Sequence, residues 1–253
     1  MLSVGLPLYR SGKIAWLALE SLARQKPPDC PWELLIAEER EPGAFGEENI
    51  RSFEDRLHKV GCERVVYVPL EKWIPLGEKW KLLAKKAHPD SIAFLLQAAD
   101  NYSGPRRLVT TAEYFRRGAD WYETKAHVLF DCVTHRIVTY DSTTKGGTGA
   151  DMAIRTEILR QITSPGPRKN VDGWLRSCAE NLCRRQKRRF YRLLNRNNRI
   201  WRETINVSGP GINHLSNRRR IFDNPQPPYF RYWRVPIEEI LPMDVAQRLL
   251  ALR

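Results

Sequence analysis

Within its first hundred residues the chain alternates short apolar runs with amphipathic stretches, and this ordering leaves few architectures open. Ser3–Tyr9 reads as a strand ending in a loop, and Lys13–Gln25 carries Ile14, Leu17, Ala18 and Leu22 at helical spacing. Trp32–Ala37 is a second strand that ends at Glu38-Glu39. Arg64–Val68 is a third, followed by Gly77, a helical Glu78–Lys86 and a fourth apolar run at Ile92–Gln97. Strand and helix repeated in this way predict an α/β fold, a mainly parallel sheet with short crossovers. Ligands of such sheets bind beyond the carboxyl ends of the strands. Glu38 and Asp100 therefore fall at the expected site edge.

The fourth run stops abruptly at Asp100-Asn101, and Ser103-Gly104-Pro105 then signals a turn and a helix start. A hard oxygen ligand at a strand end suits Mg2+ or Mn2+ holding a diphosphate. The competing reading is an aspartate that caps the helix beginning near Pro105. Further strands are expected at Trp121–Thr124, Val128–Cys132 and Arg136–Tyr140, and a surface helix at Ile237–Leu252. Val207–His214 reads as a loop by composition, with its glycines allowing close approach to a ligand.

Taken in order, the segments SVGLPLY, LESLARQ, WELLIAEE, GEKWKLLAKKA, FLLQAADN and PRRL resemble an inverting family-2 glycosyltransferase. Gly149–Arg155 resembles that family's acceptor-approaching segment. Val171-Asp172-Gly173-Trp174-Leu175-Arg176 resembles its E-D-x-x-x-x-R helix start, which carries the catalytic base. The likeness spans about residues 2 to 178 and implies a GT-A, Rossmann-like mixed sheet flanked by helices. It further implies a nucleotide sugar as donor, UDP-linked above all, and Mn2+ or Mg2+ as cofactor. Asp100 would hold the metal, completed by His214. Pro7, Leu8 and Tyr9 would shape the nucleotide loop, Glu38 would meet base or ribose, and Lys79 a phosphate. Asp172 would be the base. The bland readings are strand ends, core packing and solvated charge for the first four, an exposed helix lysine for Lys79, a helix cap for Asp172 and a structural histidine for His214. The chain departs from the family pattern where Ala98 replaces the first acid of the metal motif, where Lys81 stands near a position often held by Asn, and where Val171 precedes Asp172 without a second acid.

Composition adds a second theme. Forty-two Lys and Arg against 29 Asp and Glu give a net charge of +13, concentrated after residue 184. Arg184–Arg189 is almost wholly basic and continues through Arg192, Arg196, Arg199 and Arg202, with Phe190, Tyr191 and Trp201 interleaved; Arg218–Arg220 follows. Basic clusters with aromatic faces point to a polyanion, either nucleic acid or an anionic glycan or lipid. They divide the chain into a nucleotide-sugar-binding and catalytic region, 1–183, and a basic helical region, 184–253, completing the site and contacting the acceptor. If Arg188, Arg189, Arg192 and Arg196 meet phosphates, a viral-type transfer to a hydroxymethylated base in DNA follows, with the base flipped out of the stack. The alternatives are a glycan or cell-envelope acceptor, and a catalytically silent nucleic-acid-binding protein on the same scaffold. Five cysteines without C-x-x-C predict free thiols in a reducing compartment. No leader peptide or membrane span is apparent, so the expected setting is cytoplasm, a host's if the protein is viral.

Overall fold

The computed structural model describes residues 1–124, 126–141, 148–167, 170–195, 205–208, 230–233 and 236–252. A seven-stranded sheet forms the frame. Its parallel members are β1 (Leu2–Leu8), β2 (Trp32–Glu39), β3 (Cys62–Leu70), β4 (Ala93–Leu96), β6 (Trp121–Thr124) and β10 (Arg192–Asn195), while β9 (Thr148–Ile154) runs antiparallel between β4 and β6. The order is β10-β6-β9-β4-β1-β2-β3. This is the mixed, mainly parallel, helix-flanked sheet that the alternation implies.

Both faces of the sheet are buried, as crossover helices require. Leu2, Val4, Leu6 and Leu8 of β1, with Leu34 and Ile36 of β2, pack under α1 (Ala15–Leu22) and α5 (Arg107–Arg116). Leu35, Ala37, Phe94 and Leu96 face the other way, toward α4 (Leu76–Lys86), α6 (Thr156–Arg160) and α7 (Val171–Arg185). Two single-turn helices, α2 (Glu47–Arg51) and α3 (Glu54–His58), lead into β3.

A second sheet, ordered β12-β8-β7-β11-β5, joins β5 (Asn101–Tyr102), β7 (Ala126–Asp131), β8 (Ile137–Asp141), β11 (Ile205–Ser208) and β12 (Phe230–Trp233). Two local expectations change here. Val207 and Ser208 lie in a strand rather than a loop, because β11 finds parallel pairing with β7 and antiparallel pairing with β5. The tail is not one helix: Pro242 stops a short 3-10 turn at Ile237–Glu239 and caps α8 (Met243–Leu250).

Described residues on both sides of position 184 build the sheets and the core. Downstream residues supply the β10 edge of the main sheet and two strands of the second. Val245, Ala246 and Leu249 of α8 are buried in the same core as Leu17 and Leu22. Arg248 lies over the Trp16 ring, 3.9 Å from its centroid, and Arg24 pairs with Asp244 at 2.5 Å. All five cysteines are free, and no helix among the described residues is long and apolar enough to cross a membrane.

Candidate active site

Asp100 sits in a turn fixed from three sides. Gln97, at the end of β4, donates to the carbonyls of Ala98 and Asn101 at 3.0 and 2.9 Å. Its own carbonyl oxygen accepts from Ser103 Oγ at 2.7 Å and from the buried Arg107 guanidinium. Arg107 also donates to Leu96 O at 2.7 Å, so α5 clamps the strand end. From the C-terminal third, Val207 N donates to Asp100 O at 2.8 Å, and β11 pairs with β5 immediately after the turn. No side-chain bond caps α5, whose N-cap residue is Arg106, so Asp100 is not the helix cap.

The Asp100 carboxyl is half-buried, and desolvation pushes it up to about 6, with a backbone hydrogen bond pulling the other way. A carboxylate desolvated in this way is stabilised by a cation. One carboxylate completed by phosphate oxygens and water is a donor set that Mg2+ accepts. Asp100 therefore fits a divalent ion. Among the described residues no group of three or more His, Cys, Asp or Glu could hold a metal, and His214 lies outside those residues.

The ends of β1 and β2 form the neighbouring corner. Pro7 and Leu8 are buried, and Leu8 packs in the core; Tyr9 alone of the three is exposed. Glu38 is fully buried. Its oxygens accept from Phe45 N at 2.6 Å, Gly46 N at 3.0 Å and Tyr67 Oη at 3.3 Å, so it closes the loop that follows β2. Lys79 is not an exposed helix lysine. It shares the inward face of α4 with Trp80 and Leu83, and its ammonium donates to Leu8 O and Glu39 Oε2, each at 2.6 Å. Burial lowers its pKa while the bond to Glu39 raises it. The Tyr9 ring lies against the same ammonium, its centroid 5.5 Å away. Glu39, read from the sequence only as the second acid of a strand end, is thus the partner that makes a buried lysine tolerable.

Asp172 opens α7. The approach of that helix to α4 is fixed by Gly77 and Gly166, where an added Cβ on Gly166 would meet Gly77 C at 2.3 Å. Gly166 N also donates to Glu78 Oε1 at 2.5 Å. The helix start therefore stands beside the start of α4, at the carboxyl end of the sheet. The N-cap residue is Asn170 in the left-handed region, so Asp172 is not the cap. Its side chain reaches the surface. The carboxyl is nonetheless raised, first by desolvation and then by the Glu123 carboxylate, with Arg176 opposing. Glu123, buried within β6, pairs with Arg192 of β10 and lies 3.7 Å from Arg176. An acid inside the short strand run Trp121–Thr124, directly after Trp121 and Tyr122, was the sequence sign of this cluster.

The basic segment divides in two. Arg188 places Nη1 at 2.9 Å from both oxygens of buried Asp120, which also accepts from Arg155 Nε and Tyr191 N, each at 3.0 Å. With Arg192 on Glu123, two of the four expected phosphate contacts are engaged by internal acids, which anchor β10 to the sheet. Arg189 is exposed, and Arg196 lies outside the described residues.

No family model matches the chain, and no curated protein matches it by sequence. Its architecture is shared with solved structures. S. aureus TarS 1–349 in complex with UDP-GlcNAc is 16% identical with a TM-score of 0.59, the match covering 85% of this chain and 60% of that one. This is a GT-A fold. A longer S. aureus TarS structure matches at 15% identity and a TM-score of 0.55, over 82% of this chain and 36% of the other. The mannosyltransferase PcManGT from Pyrobaculum calidifontis, in complex with GDP-Man and Mn2+, is 11% identical with a TM-score of 0.55, over 82% and 56%. The chain thus spans less than two thirds of the length of these GT-A neighbours.

Proposed function

We propose that the chain transfers a sugar from a nucleotide-sugar donor to an acceptor hydroxyl, with inversion at the anomeric carbon. The reading rests above all on Asp100 and Asp172, two carboxyl groups in separately braced settings at the carboxyl end of a GT-A sheet. Asp172 takes the proton of the acceptor hydroxyl as its oxygen attacks the anomeric carbon. The bond to the diphosphate breaks on the opposite face, and its electron pair leaves with the diphosphate. A base with a raised pKa accepts that proton more readily. Asp100, with His214, would hold Mn2+ or Mg2+, which when bound neutralises charge on the diphosphate as a Lewis acid. Tyr9 is the exposed group of the nucleotide corner, while Pro7, Leu8, Glu38 and Lys79 act by fixing its shape.

UDP-linked sugars are the first donors to test, in keeping with the UDP-GlcNAc complex of a neighbour. For the acceptor, the internal pairing of Arg188 and Arg192 favours a glycan hydroxyl over a base in DNA. The deciding experiment supplies UDP- and GDP-sugars with manganese, and then oligosaccharides or hydroxymethylated duplex as acceptors. Metal-dependent donor hydrolysis, with transfer to a glycan, is expected. Failure to turn over any nucleotide sugar would leave only a silent scaffold, and transfer to the duplex would restore the DNA acceptor.

A further inference from the structure

The end of the main sheet remote from Asp100 carries a feature that sugar transfer does not use. The parallel strands begin there at one level. Register places Leu2 beside Trp32 and Ala93, Trp32 beside Cys62, and Arg192 beside Trp121. Phe94 and Trp121 share Ile154 as partner. Seven strands make this end about 28 Å wide.

Crossover after crossover delivers exposed cations to that level. Lys59 precedes β3, Lys85 and Lys86 precede β4, and Arg117 precedes β6. Before β10 come Arg184, Arg185, Lys187 and Arg189, all exposed. Other cations at this end are internally satisfied: Arg116 by Asp29, Arg64 by Glu33 and Arg188 by Asp120. The eight named cations make no salt bridge among the described residues, and they outnumber the exposed acids of the same crossovers, Asp55, Glu63, Asp90, Glu113 and Glu157. A helix dipole accounts for a cation in a last turn. It does not account for Lys187 and Arg189, which lie beyond α7.

We propose that this level basic end is a docking face for an anionic lipid surface. Breadth and evenness decide the partner. A bilayer presents charge over any width, and juxtaposed Lys and Arg each add to its attraction. Duplex binders instead insert an element into a groove, and single-strand binders line a channel with aromatic rings. Here the exposed large apolar side chain is Tyr191, suited to the headgroup level. The 15 residues of α7 hold Asp172 about 22 Å from these cations, so docking leaves the reaction edge turned away from the lipid.

The test is co-sedimentation of the full chain with vesicles of phosphatidylcholine and phosphatidylserine, against phosphatidylcholine alone. Binding to the mixed vesicles only, weakened by salt, is expected. The combined Lys85→Gln, Lys86→Gln, Arg117→Gln and Lys187→Gln variant should lower the partition coefficient about a hundredfold or more. Arg40→Gln with Lys72→Gln, at the opposite end, should leave it unchanged, and thermal melts of both variants separate lost charge from lost fold. Equal binding to neutral vesicles, or an undiminished partition in the folded quadruple variant, would overturn the proposal. So would salt-sensitive capture of a labelled DNA duplex without vesicle binding, which would assign the face to nucleic acid.

Discussion

Asp100 and Asp172 are both raised carboxyls, yet their replacement should read out differently. Asp172→Asn is expected to slow transfer about a hundredfold or more with donor affinity little changed. A KM effect without a kcat effect would contradict the base assignment. The wild-type rate should fall on the acid side through an inflection above the usual carboxylate range, since desolvation and Glu123 both penalise the charged form. For Asp100 the consequence is also one of stability. Its folded-state value of about 6 exceeds the ordinary 3.8, so the folded protein binds this proton more tightly than the unfolded chain. That contribution is fully present below the ordinary value and is lost as pH rises through the folded one. Asp100→Asn should therefore stabilise the metal-free protein on the order of 1–2 kcal/mol near pH 7.5, after screening, and leave it unchanged near pH 3.5. Urea titrations at the two pH values measure this, and metal-dependent turnover should vanish in the same variant.

At the level of elements, the glycine contact between the start of α4 and the approach to α7 is the most exacting junction. Gly166→Ala must displace Gly77 backbone, and overpacking of this kind costs about 1–3 kcal/mol. A lowered urea midpoint together with reduced turnover is expected, because the same shift moves the helix that carries Asp172. The first four strands were legible because their apolar runs are bounded by charge and turn residues. β10 was hidden in a run read as basic, since its cations are matched by Asp120 and Glu123, about seventy residues earlier in the chain. Periodicity within a window cannot register a partner at that separation. The burial of Lys79 on α4 was hidden for the same reason: its carboxylate, Glu39, comes from β2.

At the scale of the whole molecule, α8 packs into the main core through Val245, Ala246 and Leu249. Leu249→Ala should cost about 2–5 kcal/mol and lower the midpoint of the entire unfolding transition. Two transitions, with only the minor one shifted, would instead mark an independent segment. The positions of Asp100 at a strand end and Asp172 at a helix start were legible because these are local features, but which lysines and arginines face outward depended on distant acids. One consequence concerns synthesis. β11 latches the Asp100 turn, and β10 is added to a sheet whose other strands precede it in the chain. A ribosome-bound chain that has emerged only through β9 would lack both braces, leaving a sheet edge unpaired and the Asp100 turn free to sample other shapes. Competence for chemistry would then arise late, after the long-range closures that make such topologies slow to fold.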